Sequence, residues 1–220
     1  MSLNNFEFNK NNTFCISLES VPERWERMET RFKYFNMEAT RWNASTPNTL
    51  TDTFHHYLNA GQRACAQSHI NIWRHIVQND LPYSLILEDD AKFDKQWKEK
   101  LSDIKDLIDK DQDWDAIFLN VSEPMNPQNT WMKVQEQYLT GAYILSYNGA
   151  KRLLENFKDG YASSDWMTTR LQLCGHSYSY FPWLVIQEGN ESTIGSGYEE
   201  DHKKVIRCLN EISYPIDEYV

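Results

Sequence analysis

The sequence predicts an α/β fold: a single domain built on a mainly parallel, Rossmann-like sheet flanked by helices. Short apolar runs of strand length alternate with longer stretches whose apolar residues recur at helical spacing. One run, Leu85-Ile86-Leu87, is continuous rather than alternating, as in a strand buried on both faces of a parallel sheet. At 220 residues the chain is long enough for one sizeable core rather than two.

The elements follow in order. Thr13 to Leu18 reads as the first strand, and Ser20-Val21-Pro22-Glu23 as a capping box with proline in the first turn. Trp25, Met28, Phe32 and Phe35 then mark a helix. After Thr40-Arg41-Trp42, the polar stretch from Asn43 to Gly61 predicts a long loop, and loops of that length in a compact domain are usually functional covers or disordered. Arg63 to Val77 carries a wide apolar helical face. His69 lies on it, one turn after Cys65. Next come Leu85 to Leu87, a single amphipathic helix through Trp97, Leu101, Ile104 and Ile108, and a strand over Ala116 to Val121. Segment 123–137, with Pro124 and Pro127, reads as an insertion loop. Ala142 to Leu145 is a further strand, Ala150, Leu153, Leu154 and Phe157 mark a helix, and Ser163-Ser164 cap another that opens with Asp165. Tyr178 to Ile186 reads as one or two strands broken at Pro182, giving a sheet with one antiparallel member.

The most informative junction is Glu88-Asp89-Asp90, directly after Leu85-Ile86-Leu87. In open α/β sheets ligands bind outside the carboxyl ends of the strands, and three adjacent acids there repel one another unless a cation lies among them. Alternation along an extended segment puts Glu88 and Asp90 on one side and Asp89 on the other. Two oxygen donors, with water and phosphate completing the shell, suit Mg²⁺ or Mn²⁺ holding a diphosphate. A solvated acidic loop is the plain alternative, and pattern alone likewise favours a core histidine over a ligand at His69.

Composition narrows the partners. A net charge of −10 argues against nucleic acid, because phosphate binding needs a basic surface, and weakens any case for docking on anionic lipid. No stretch approaches a membrane span and the amino terminus lacks the layout of a secretory signal. Cys15, Cys65, Cys174 and Cys208 show no paired zinc or redox spacing, so reduced thiols in a cytoplasmic setting are expected, the protein at most peripheral to the inner face of a membrane. Oligomeric state is not legible.

Taken together, the segments resemble glycosyltransferase family 25, which includes lipopolysaccharide sugar transferases and collagen galactosyltransferases. The matching pieces are Ile16-Ser17-Leu18 with Pro22-Glu23-Arg24, Trp42-Asn43-Ala44, Cys65 to Trp73, Leu85 to Ala91, Trp114 to Leu119, Thr140 to Ser146 with Gly149-Ala150, Ser164 to Met167, and Gln187 with Ser192. The resemblance implies a GT-A fold over residues 13–196, after an extension of residues 1–12 and before an acidic tail of residues 197–220. It also implies a nucleotide-sugar donor, usually UDP-linked and carrying galactose or glucose, a divalent metal, Mn²⁺ or Mg²⁺, and inversion at the anomeric carbon. The acceptor would be a hydroxyl of a glycan, lipopolysaccharide or protein. Carried over residue by residue, Glu88 and Asp90 match the metal-binding acids and Asp89 faces the ribose. Ser17, Leu18, Arg24, Asn43, Ala44, Ser68 and His69 would line the nucleotide pocket, with Gln187 and Ser192 in its carboxyl-terminal wall. The chain departs from the family pattern at Ser17, where asparagine is usual, at Ser20-Val21, where a basic pair is usual, and at Arg63-Ala64, where an apolar residue and glycine are usual. These changes surround the nucleotide end.

Inversion by direct displacement needs a base near the acceptor hydroxyl. Asp165, in the first turn of a capped helix, is the candidate, against the plain role of an Asp complementing a helix dipole. Two other readings remain: a metal-dependent phosphotransfer domain, which generally places its acids on the first strand, and a degenerate transferase that binds nucleotide or glycan without turnover.

Overall fold

A computed structural model describes residues 6–124, 127–189 and 198–220. Seven strands form the main sheet: β1 (Thr13–Ser17), β2 (Thr40–Asn43), β3 (Tyr83–Glu88), β5 (Ala116–Phe118), β6 (Thr130–Lys133), β7 (Ala142–Ser146) and β8 (Ser177–Phe181), in the spatial order β2-β1-β3-β7-β5-β8-β6. The remaining two, β4 (Ala91–Phe93) and β9 (Val185–Gln187), pair antiparallel in a small second sheet. The helices are α1 (Pro22–Tyr34), α2 (Ala60–Gln78), α3 (Trp97–Ser102), α4 (Lys105–Lys110), α5 (Tyr147–Asn156), α6 (Ser164–Gln172) and α7 (Tyr198–Glu211).

The strand period of two divides the core into two layers. Phe14, Ile16, Ile86, Tyr143 and Leu145 point to one face, where α2, α5, α6 and α7 supply Ile70, Trp73, Leu153, Met167 and Leu209. Cys15, Leu85, Leu87 and Ile144 point to the other, where α1, α3 and α4 supply Met28, Phe32, Trp97, Leu101 and Ile108. The central strands are buried along their length, which is why their sequences are continuously apolar. Among the described residues, no helix is long and apolar enough to cross a membrane.

Several expectations need correction. Two strands of the main sheet, not one, run against the rest: β7 is antiparallel to β3 and β5, and β6 is antiparallel to β8. β6 falls inside the expected insertion loop, where it covers the edge of β8 with a largely exposed strand. Ser20 caps nothing, because α1 begins one residue later, with Val21 at the N-cap and Pro22 at the first helical position. The amphipathic stretch after Gln96 is two short helices rather than one. Ser163 holds the N-cap position of α6 without a side-chain cap bond, and the carboxylate of Asp165 instead accepts from the Trp166 N–H at 2.8 Å. The carboxyl-terminal segment puts Val205, Leu209 and Tyr219 into the core.

Candidate active site

The parallel pairing of β1 with β3 sets Ile16 opposite Glu88, so both strands end at the same edge of the sheet. Because β7 runs the other way, its start lies at that edge too, and the Glu88 N–H donates to the Gly141 carbonyl at 2.8 Å. Beyond β3 the chain turns through Asp89 and Asp90 into β4, which pairs with β9 so that Ala91 faces Gln187. A bond from the Glu188 N–H to the Asp90 carbonyl, 2.9 Å, closes this turn. The result is a fixed approach of Gln187 to the acids: its Nε2 is 3.4 Å from Glu88 Oε2 and 3.4 Å from each carboxylate oxygen of Asp90. Gly141 permits it, since a Cβ there would fall 2.9 Å from the Gln187 side chain.

Glu88 and Asp90 therefore share one partner on one side, while Arg24 reaches the acids from α1, 2.6 Å from Asp89 and 3.3 Å from Asp90. Burial raises the Asp90 carboxyl and the neighbouring Glu88 charge raises it further, to about 7. Burial also lifts Asp89 above its ordinary value, with Arg24 pulling the other way. For Glu88 burial works against the charge, but His69 and Arg24 outweigh it and the carboxyl lies below the ordinary range.

His69 is fully buried with both ring nitrogens engaged: Nδ1 is 2.9 Å from the Tyr143 hydroxyl and Nε2 is 3.3 Å from Glu88 Oε1. The Trp73 indole donates to the same hydroxyl at 2.9 Å. One assignment satisfies every member of this chain: Trp73 donates to Tyr143, Tyr143 to His69 Nδ1, and His69 Nε2–H to Glu88. Thr140 completes the setting, its hydroxyl 3.3 Å from Glu88 Oε1.

Two cavities meet at Glu88. The first, about 310 Å³, is lined by Leu18, Arg24, Ala44, Ser68, His69, Glu88 and Asp89 from the predicted set, joined by Ser45 to Pro47 and Cys65. The second, about 410 Å³, is lined by Glu88, Asp165 and Gln187, together with Gln62, Cys65, Thr140, Ser164, Tyr138, Glu123 and Lys204. Asp165 thus faces the second cavity and not the first.

Ser17 is buried behind the first cavity, 3.4 Å from the Arg41 guanidinium. Asn43 points elsewhere, donating to Glu19 at 2.7 Å. Ser68 is committed to the scaffold, accepting from the Ser45 N–H and donating to the Ala64 carbonyl. Ser192 lies outside the described residues. Thr140, Cys65 and Lys204 were missed as cavity-lining positions. The Thr140-Gly141 pair before an apolar run was the available signal, readable only once β7 is known to be antiparallel; Lys204 offered none.

The profile described as Glycosyltransferase family 25 (LPS biosynthesis protein) matches residues 10–168. Procollagen galactosyltransferase 2 of Homo sapiens is 32% identical over 106 residues, which cover 44% of this chain and 17% of the human protein. Procollagen galactosyltransferase 1-B of Xenopus laevis is 34% identical over 167 residues, covering 64% of this chain and 27% of its own. A Bos taurus protein named probable inactive glycosyltransferase 25 family member 3 is 28% identical over 167 residues, covering 64% of this chain and 28% of its own. The chain thus spans well under a third of the length of these relatives.

Proposed function

Since this chain belongs to glycosyltransferase family 25, we propose that it is a metal-dependent inverting sugar transferase of GT-A type, taking galactose or glucose from a UDP-sugar in the first cavity to an acceptor hydroxyl in the second. The observation that carries this reading is that Glu88 lines both cavities, with the candidate base Asp165 confined to the second. Donor and acceptor would then meet beside Glu88, with room for the acceptor oxygen to reach the anomeric carbon on the face opposite the departing diphosphate.

The donor set fits a divalent cation. Glu88 and Asp90 converge on a single amide, and burial together with the neighbouring Glu88 charge raises the Asp90 carboxyl despite Arg24, a repulsion that a bound cation would relieve. Glu88 and Asp90 would hold Mn²⁺ or Mg²⁺ there, and the ion would supply charge neutralisation of the departing diphosphate. Arg24, now spanning Asp89 and Asp90, stands where it can turn to a phosphate oxygen and share that negative charge. Asp89 lines the first cavity, consistent with a ribose contact. His69 and Thr140 hold Glu88 in place, and Gln187 fixes the spacing of the two acids.

Asp165 Oδ1 is occupied by the Trp166 N–H, and Oδ2 has no hydrogen bond among the described residues. Oδ2 would take the proton from the acceptor hydroxyl as that oxygen attacks the anomeric carbon, the bond to the diphosphate breaking on the opposite face. The acceptor is a glycan, lipopolysaccharide or protein hydroxyl, and the family's procollagen galactosyltransferases make a protein acceptor a natural first trial. A soluble enzyme acting in the cytoplasm, at most peripheral to a membrane, is the accompanying expectation.

The test is a panel of nucleotide sugars incubated with Mn²⁺ and with chelator. Slow hydrolysis of one UDP-sugar, only with metal, is expected. Hydrolysis of a phosphomonoester without sugar release would favour phosphotransfer instead, and metal-dependent UDP binding without any turnover would place the chain beside its relative named probable inactive.

A further inference from the structure

Cys65 and His69 are four residues apart on α2 and so share one helix face, one turn apart. β3 delivers Glu88 to that face. One donor atom from each of the three residues lies within 4.8 Å of the other two. Thiolate, imidazole and carboxylate make a donor set for a borderline-soft ion, whereas Mg²⁺ and Mn²⁺ prefer oxygen alone. Three protein ligands leave one position of a tetrahedral shell open, and both cavities reach it, since Cys65 and Glu88 line each. The outer contacts are also in place. The Tyr143 hydroxyl, held by Trp73, fixes the His69 ring through Nδ1 and leaves Nε2 turned to Glu88, although in the metal-free chain the proton of this bond comes from Tyr143.

We propose that Cys65, His69 and Glu88 form a site for Zn²⁺, separate from the oxygen site of Glu88 and Asp90 but sharing Glu88 with it. Binding balances simply. The Cys65 thiol releases its proton to solvent through the cavity, and the imidazole moves its proton from Nε2 to Nδ1, which then donates to the Tyr143 oxygen while the Tyr143 O–H rotates out of its bond to Nδ1. Two anionic ligands then neutralise the dication. Because one carboxylate serves both sites, zinc withdraws Glu88 from Asp90. The site itself stands on the three donors alone, independent of the transferase reading.

Co²⁺ added to the full chain after chelator treatment serves as the probe. A near-ultraviolet thiolate-to-cobalt absorption should saturate at one equivalent, disappear on adding one equivalent of Zn²⁺, be absent in Cys65→Ser and persist in Cys174→Ser, which removes an exposed thiol. Should Cys65→Ser fail to fold, alkylation of the wild-type chain read cysteine by cysteine decides: zinc should slow labelling of Cys65 at least tenfold and leave Cys174 unchanged. No absorption, absorption that survives Cys65→Ser or is lost in Cys174→Ser, or equal labelling of Cys65 with and without zinc would overturn the site. A chain that transfers no sugar would still give the absorption, so the two readings fail separately.

Discussion

Arg74 and Asp52 meet in a bidentate ion pair, Nη1 to Oδ2 at 2.7 Å and Nη2 to Oδ1 at 2.6 Å. Asp52 belongs to the loop between β2 and α2 whose start, Ala44 to Pro47, walls the first cavity. Gln67 joins the clamp, donating to Asp52 at 2.6 Å and accepting from the Thr51 and Asp52 N–H groups. The same loop is tied to the approach of α6 by bonds between His55 and Tyr161 and between Tyr161 and Thr53. A fixed fork onto a carboxylate orders a long polar loop that has little apolar surface to bury.

Arg74→Ala should therefore weaken nucleotide binding through the loop, raising KM for the donor more than it lowers kcat, while Arg74→Lys recovers only part of the loss. Arg74 holds the Asp52 carboxyl below its ordinary value. A depressed folded value contributes stability that is present above the unfolded carboxyl range and lost as pH falls through the folded one. Wild-type chain should lose that contribution below about pH 4, and an acid-unfolding curve of Arg74→Ala should lack it. Identical acid limbs would refute the clamp.

Asp90→Asn should abolish metal-dependent UDP binding yet raise the melting temperature of the chelated protein. Burial and then the neighbouring Glu88 charge raise the Asp90 carboxyl to about 7, so its charge costs stability that increases as pH rises from the unfolded carboxyl range through that value and is constant above. The gain in Asp90→Asn should be largest above that pH. A variant no more stable at pH 8 than wild type would show that the pair is not strained, and unchanged metal-dependent binding would show that Asp90 is not a ligand.

Asp165→Asn separates base from binding site. Because Asp165 lines only the second cavity, UDP and Mn²⁺ titrations should match wild type while transfer falls by about 10²-fold or more. Wild-type transfer, or loss of donor binding as severe as in Asp90→Asn, would remove Asp165 from the mechanism. Glu188 is a poor substitute, since Arg27 and Arg31 both pair with it.

Gly141→Ala tests the geometry that Gln187 imposes. The added Cβ would fall 2.9 Å from the Gln187 side chain and 3.0 Å from Asn120 Nδ2, displacing the amide from the acids. Metal-dependent UDP binding should weaken by roughly 10-fold, the low end for loss of an outer partner of a metal site, with the fold retained. Unaltered affinity, read by calorimetry, would mean that Gln187 does not space Glu88 and Asp90.

The strands that build the site were legible because they are buried on both faces: Leu85 to Leu87 and Ala142 to Leu145 are unbroken apolar runs, and the acids follow the first without a gap. β6 was not, because Thr130 to Lys133 is a mostly exposed edge whose partner, Ser177 to Phe181, lies far along the chain. The direction of β7 was equally hidden. An apolar run reads the same whichever way it lies in the sheet, so the arrival of Thr140 and Gly141 beside Glu88 follows from pairing alone. His69 stood out on the pattern as a residue of a buried face, which it is, but its bond to Glu88 needed the third dimension. The ion-pair clamp of Asp52 and Arg74 carries no periodic signal at all.

The central position of β7 has a consequence for the order in which the molecule can be made. β3 takes β1 on one side soon after synthesis, but its other side waits for residues 142–146, with β5 on the far side of that strand. A nascent or truncated chain ending before β7 carries Leu85, Ile86 and Leu87 on an open, apolar edge, a template for pairing between molecules. Fragments cut in the connection before Thr140 should therefore aggregate rather than persist as half-domains, and expression trials should keep β3 and β7 together.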